Sequence, residues 1–88
     1  MEKGFNSDVM YRGLEFHVQT EDWGRENPYL VSRVYQNGAV INSLKTSYSD
    51  VLPRSPIRDV KSFRSAISVA MRDQHQRIMD ALVAGELI

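Results

Sequence analysis

The sequence predicts a small α+β domain, a three-stranded antiparallel β-meander followed by one long C-terminal α-helix packed on one face (βββα). Asn37-Gly38 separates two runs rich in β-branched and aromatic residues, and this dipeptide favours the positive φ angles of a type I′ hairpin turn. Beyond residue 56, apolar residues recur at steps of three and four, the helical period. No repeat or linker interrupts the 88 residues, so we expect a single domain over residues 1–88.

The first predicted strand spans about residues 11–20. Apolar and polar residues alternate along it, a period of two that indicates one buried face; the apolar members are Leu14, Phe16 and Val18. Residues 1–9 hold only scattered apolar groups, so we expect them to fray. Residues 21–28 combine charged residues with Gly24 and Pro28, which indicates a loop.

The second and third predicted strands, at about residues 29–36 and 39–48, form the hairpin about Asn37-Gly38. Counting outward from a two-residue turn gives the pairs Tyr35–Val40, Val31–Leu44 and Tyr29–Thr46. In this register both faces of the hairpin carry apolar groups. Because a single helix can cover only one face, the other is available to a partner.

One long helix is predicted over about residues 56–84. Ser55 is its expected N-cap, Pro56 its first position, and Gly85 stands where a left-handed residue often ends a helix. The residues before it form a connector, because proline lacks the backbone donor that a strand or helix interior needs. Its last turns, residues 78–84, are apolar nearly all round, which is typical of a buried helix.

These uncovered apolar groups predict a homodimer, or docking to another bacterial protein. The expected interface residues are Tyr29, Val31, Tyr35, Leu44, Ile78, Met79 and Val83. Two alternatives close the core within one subunit. A bulge would shift the hairpin register, or the helix would break near Gln74 and fold back.

Residues that could carry chemistry are few. The chain has no cysteine, and a metal site would need His17 and His75 together with a carboxylate. We interpret His75 instead as a half-buried, hydrogen-bonded residue and His17 as a solvated or interface residue. Glu21 and Asp22 are interpreted as loop acids, and no nucleophile or phosphate-loop motif occurs. We therefore expect no enzyme activity, cofactor, metal or small-molecule substrate.

The charge pattern contains one local feature. Eleven basic residues balance eleven acidic ones, which does not favour nucleic acid or a membrane surface as partner. Around the helix start, however, four cations, Arg54, Arg58, Lys61 and Arg64, stand against only Asp59. With the free helix amides, Arg54, Arg58 and Lys61 could bind a small anion, a nucleotide or nucleic acid. The alternatives are an ordinary solvated helix face, or pairing of these cations with acids of the loop at residues 21–26. The βββα order also occurs in small DNA-binding domains, but those show a basic stripe that this chain lacks.

No stretch approaches the length of a membrane span, and the first ten residues lack the apolar core of a signal peptide. We therefore expect a cytoplasmic protein.

The segment Phe16-His17-Val18-Gln19-Thr20-Glu21-Asp22, together with Gln74-His75, resembles a small family of uncharacterised bacterial proteins. Members are similar in placing a glycine-containing hairpin and a Ser/Thr-Tyr segment, here residues 46–48, between the two motifs. The resemblance covers residues 11–85 and implies no activity or cofactor. It suggests that the polar residues of the first motif form a recognition edge, namely His17, Gln19, Glu21 and Asp22. The alternative is that Gln19 and Thr20 tie down the following loop.

Overall fold

The structure, a computed structural model, describes residues 4–52 and 59–87. Four strands and two helices follow in order: β1 (Gly4–Tyr11), β2 (Leu14–Asp22), β3 (Tyr29–Gln36), β4 (Ala39–Ser47), α1 (Tyr48–Val51) and α2 (Val60–Val83). The strands form one antiparallel sheet in the order β1-β2-β3-β4. The α+β class with a C-terminal helix is confirmed, but the sheet has four strands rather than the three predicted.

The additional strand is β1, which occupies the segment that was expected to fray. A tight turn at Arg12-Gly13, with φ angles of 53° and 79°, reverses the chain between β1 and β2. Val9 then lies opposite Phe16 and is only 8% exposed. The prediction of three strands omitted β1 in part because Ser7 interrupts the apolar residues Phe5, Val9 and Tyr11 on its helix-facing side, which weakens the period of two.

The hairpin between β3 and β4 turns at Asn37-Gly38 as predicted, with φ angles of 54° and 81°. The predicted pair Tyr35–Val40 is present. Beyond it the register shifts, because Ile41 is an extra residue on β4 and forms a β-bulge. The alternative of a bulge is therefore the one that the structure adopts.

The bulge changes the pairing of all residues farther from the turn. Val31 lies opposite Lys45 rather than Leu44, and Tyr29 lies opposite Ser47 rather than Thr46. Successive side chains of a strand point to opposite faces, so this one-residue shift moves Leu44 to the same face as Ser32. That face is the one on which α2 lies.

The chain leaves β4 through α1, a single turn that was not predicted. The Ser47 side chain caps it by accepting a hydrogen bond from the Ser49 amide, and Tyr48 is buried at 7% exposure. The predicted third strand extended one residue further, to Tyr48. A local cap therefore ends the strand where the apolar pattern alone gave no stop.

Helix α2 is continuous through Gln74, so the alternative of a break there is wrong. Asp59 is its N-cap and accepts a hydrogen bond from the Ser62 amide at 2.7 Å, which lowers the pKa of the Asp59 carboxyl. The predicted cap Ser55 and first residue Pro56 lie outside the described residues. Gly85 ends the helix with a φ of 77°, as predicted, in a Schellman arrangement of hydrogen bonds.

The core lies between α2 and one face of the sheet. Helix α2 packs on β1, β2 and β3. Its second half contributes to one apolar cluster, comprising Val9, Phe16, Val18, Val34, Ile78 and Leu82. Its first half contributes to another, comprising Leu30, Tyr48, Ile67 and Met71. A row of buried polar side chains separates the two clusters along the helix.

Candidate interaction surface

Helix α2 covers one face of the sheet and leaves the other face open. On β2, Val18 and Thr20 point toward α2 and are fully buried. The intervening residues, His17 and Gln19, point away and are partly exposed. We call the side of the sheet opposite α2 the open face.

A set of hydrogen-bonded polar side chains lies on the open face where β1 pairs with β2. His17 Nδ1 lies 2.9 Å from Asp8 Oδ1, and His17 Nε2 lies 3.2 Å from Asn6 Oδ1. Next along β2, the Gln19 amide donates to Glu21 at 3.4 Å. Three of the four residues predicted as a recognition edge, namely His17, Gln19 and Glu21, therefore share this face.

An aromatic patch, consisting of Trp23, Tyr29, Arg33 and Lys45, occupies the open face over β3 and β4. The Lys45 ammonium lies 4.2 Å from the Tyr29 ring centroid and 5.2 Å from that of Trp23. The Arg33 guanidinium lies 5.8 Å from the Trp23 centroid and pairs with Glu21 at 3.5 Å. Val31 stands among these side chains and is only 4% exposed, because they cover it.

The third part of the surface is the outer edge of the sheet at β4. This strand pairs with β3 alone among the described residues, and α2 lies on the other three strands. Val40 is 51% exposed, Ile41 38% and Leu44 41%. Lys45 is the one charged residue between Ala39 and Ser47. Strand β4 is therefore an apolar edge that nothing in the described chain covers.

The residues predicted as an interface fall into three environments. Val31 and Ile78 are buried within the subunit, and Met79 packs against the core. Tyr29 and Tyr35 are partly buried on the open face, where Tyr35 stacks 6.2 Å from His17. Leu44 and Val83 are exposed. The two tyrosines therefore lie on the open face, whereas Leu44 lies on the other face, exposed at the β4 edge.

Behind the open face, a chain of buried polar side chains joins α2 to the sheet. Thr20 Oγ1 lies 2.7 Å from Ser32 Oγ and 2.8 Å from His75 Nδ1. Ser7 Oγ lies 2.9 Å from His75 Nε2. Gln74 donates to Ser32 Oγ at 2.9 Å. These side chains come from β1, β2, β3 and α2, so the chain of hydrogen bonds fixes how the helix sits on three strands.

The Ser32 hydroxyl accepts from the Gln74 amide, whose Nε2 atom also lies 3.4 Å from the Leu30 carbonyl oxygen. In this orientation the Gln74 Oε1 atom is buried without a hydrogen-bond partner among the described residues. Because a hydroxyl can donate one hydrogen bond and accept two, the Ser32–Thr20 and Thr20–His75 hydrogen bonds are compatible with either direction and with either neutral tautomer of His75.

Both ring nitrogens of His75 are hydrogen-bonded, Nδ1 to Thr20 and Nε2 to Ser7. Burial lowers the pKa of His75, and the charge of His17 contributes in the same direction. His75 is hydrogen-bonded as expected, but at 6% exposure it is buried rather than half-buried.

Asp22, the last residue of the first motif, points to the helix side of the sheet. Its carboxylate accepts hydrogen bonds from the Tyr48 hydroxyl and from the Gly24 amide. Burial and the neighbouring carboxylate raise the pKa of Tyr48. The segments that carry the resemblance are therefore in contact: Asp22 is hydrogen-bonded to Tyr48, and Thr20 is hydrogen-bonded to His75. Glu21 and Asp22 lie on opposite faces and do not form an acid pair.

The predicted anion site is only partly within the described residues. Lys61 is exposed on the first turn of α2, whereas Arg54 and Arg58 lie outside the described ranges. His17 and His75 bind different partners, and residues 4–52 and 59–87 contain no group of three potential metal ligands. Several residues of the candidate surface were not predicted as site residues, because only the sheet register brings them together. They are Trp23, Arg33, Val40, Ile41 and Lys45.

No family model, curated protein or solved structure matches this chain. The resemblance to a bacterial family therefore stays a prediction. Within the described part of the chain, neither helix is long and apolar enough to cross a membrane.

Proposed function

We propose that this protein is a non-enzymatic protein-interaction module that forms a homodimer through strand β4. Docking of another protein on the same strand is the alternative. The observation that carries the proposal is the exposure of Val40, Ile41 and Leu44 on an edge strand that α2 does not cover. Exposed apolar groups beside unpaired backbone donors and acceptors are typical of sites where another chain adds to a sheet.

Strand β4 has few of the features that protect an edge from pairing. Natural edge strands carry charges, proline or bulges that block a second chain. Here the strand has one charge, Lys45, and no proline, and its bulge at Ile41 lies near the hairpin turn. The stretch Asn42–Ser47 beyond the bulge pairs with β3 without a further register shift.

A second copy of the chain suits this edge. Antiparallel pairing about a two-fold axis at Leu44 places that leucine opposite its own copy, while Ser43 lies opposite Lys45 of the partner subunit. No like charges then face each other, and the central contact is apolar. The aromatic patch lies beside this contact on the open face, and tyrosine and tryptophan are enriched at protein interfaces.

Light scattering after size exclusion tests the proposal. At micromolar concentrations we expect the wild-type chain to have about twice its subunit mass of 10.1 kDa. Leu44→Lys should give a monomer, because it places two like charges opposite each other at the axis. Val69→Lys is the matched control, since Val69 is 60% exposed on α2 away from β4, and it should remain dimeric. A wild-type protein that is monomeric at all micromolar concentrations measured contradicts the proposed homodimer.

A further inference from the structure

A cavity of about 410 Å³ lies between the first half of α2 and the loop after β2. We call it the α2 cavity. Its volume falls within the range of small-molecule sites. It is separate from β4 and from the aromatic patch, so its use is independent of the proposed dimer.

The floor of the α2 cavity is apolar. Phe63, Ile67 and Met71 follow one another at four-residue steps along one face of α2 and line it together. Ile67 and Met71 are buried, and the ring of Phe63 stacks 5.8 Å from that of Tyr48. Val60 stands at the same face one turn earlier and is 53% exposed. The apolar stripe of the helix thus continues into the cavity.

Two guanidinium groups stand at the cavity, on Arg25 and Arg64. Arg25 lies 4.6 Å above the Phe63 ring centroid, which holds its charge close to the apolar floor. Neither arginine forms an ion pair with another residue that the structure describes. Among the described residues Asp22 is the one acid in the lining, and its carboxylate already accepts hydrogen bonds from Tyr48 and Gly24. The cavity therefore combines an apolar floor with two cations that pair with no acid within residues 4–52 and 59–87.

We propose that the α2 cavity binds a small amphipathic carboxylate. An apolar body about the size of a phenyl ring lies on Phe63, Ile67 and Met71, and the carboxylate pairs with the two arginines. The planar guanidinium suits this task, because it can donate two parallel hydrogen bonds to a carboxylate. This assignment uses Arg64, one of the four cations that the sequence places around the helix start, together with Arg25 from the loop after β2.

An NMR titration of the full chain tests this proposal, with phenylbutyrate as the probe and its neutral amide, phenylbutyramide, as the control ligand. We expect saturable shifts of the amides of residues 60–71 with phenylbutyrate and a rise in melting temperature by mass action. The neutral amide should bind about tenfold more weakly, because it cannot form the charge-assisted hydrogen bonds. Failure of the carboxylate to bind, or equal affinity for the amide, overturns the assignment.

Variants locate the binding. Arg64→Gln should weaken phenylbutyrate binding by about tenfold, which is the loss of one charge-assisted contact. Lys61→Gln is the matched control, because it removes the same charge from a residue of α2 that does not line the cavity. Val60→Trp should abolish binding by filling the cavity mouth from an exposed position, with an unchanged circular dichroism spectrum. Equal losses in Lys61→Gln and Arg64→Gln would show non-specific attraction and contradict the proposal.

Discussion

Thr20 stands at the centre of the hydrogen-bond chain that fixes α2 on the sheet. Its hydroxyl joins Ser32 on β3 to His75 on the helix, and all three side chains are at most 6% exposed. A buried polar group without its partner costs about 1–3 kcal/mol, so alternative placements of the helix that break this chain are disfavoured. At the scale of single residues, polar contacts thus select one helix position that apolar packing alone would specify less sharply.

His75 makes the stability of the fold depend on pH. Its two ring nitrogens are hydrogen-bonded to Thr20 and Ser7, the Phe5 ring lies 5.7 Å away, and the charge of His17 disfavours a second positive charge on His75. The folded pKa is lowered from 6.5, so between the two pKa values the unfolded chain binds more protons than the folded chain. The free energy of unfolding therefore decreases as the pH falls below 6.5.

Urea denaturation in a pH series that brackets 6.5 measures this effect. The wild-type chain should lose stability on the acidic side of that value. In His75→Gln the free energy of unfolding should change less with pH over the same interval. The variant should be less stable at every pH, because the chain of hydrogen bonds is broken. Identical slopes in the two proteins would show that His75 does not titrate as its burial requires.

At the scale of secondary structure, the elements with strong local signals were predictable. The helical recurrence of apolar residues in α2 and the turn at Asn37-Gly38 each depend only on residues close together in the sequence. Both elements are present in the structure. The turn at Arg12-Gly13 has nearly the same φ angles, yet arginine seldom adopts a positive φ and gave no signal. The missing turn signal is the second reason why strand β1 was not predicted, beside Ser7 on its helix-facing side.

The candidate surface was less predictable than the fold. The bulge at Ile41 is a property of the β3–β4 pairing, and it shifts Leu44 and Lys45 to faces opposite from those counted outward from the turn. The aromatic patch then depends on that register. The sequence could place the tyrosines of β3 on one face of that strand, and the polar residues of β2 on one face of theirs. The alternation within a single strand does not depend on how the strand pairs with its neighbours.

Paired glycine substitutions test whether β1 belongs to the sheet. Gly13 and Gly38 both have positive φ, and an added Cβ would meet no atom within 4 Å at either position. Gly13→Ala and Gly38→Ala should therefore each cost about 1 kcal/mol through backbone strain alone, measured by thermal or urea unfolding. If residues 4–11 were detached from β2, Gly13→Ala would have no effect, whereas Gly38→Ala would still destabilise.

For the whole molecule, β1 changes which apolar surface requires a partner. The apolar end of α2 suggested an incomplete subunit, but Val9 and Tyr11 of β1 and Leu87 pack against this end in the same chain. What is left uncovered is the edge of the sheet farthest from β1, at β4. The homodimer that we propose therefore depends on the β4 edge, and the C-terminal turns of the helix are part of the subunit's own core.

Hydrogen exchange of the intact chain at low and high protein concentration tests this central claim most directly. Strands β1 and β4 are the two edges of one sheet, so each chain contains its own control. We expect amides of Ala39–Ser47 to exchange more slowly at the higher concentration, as pairing with a second copy protects them, while those of Gly4–Tyr11 exchange at the same rate. Unchanged exchange in β4, or protection that appears in β1 instead, would contradict the proposed dimer.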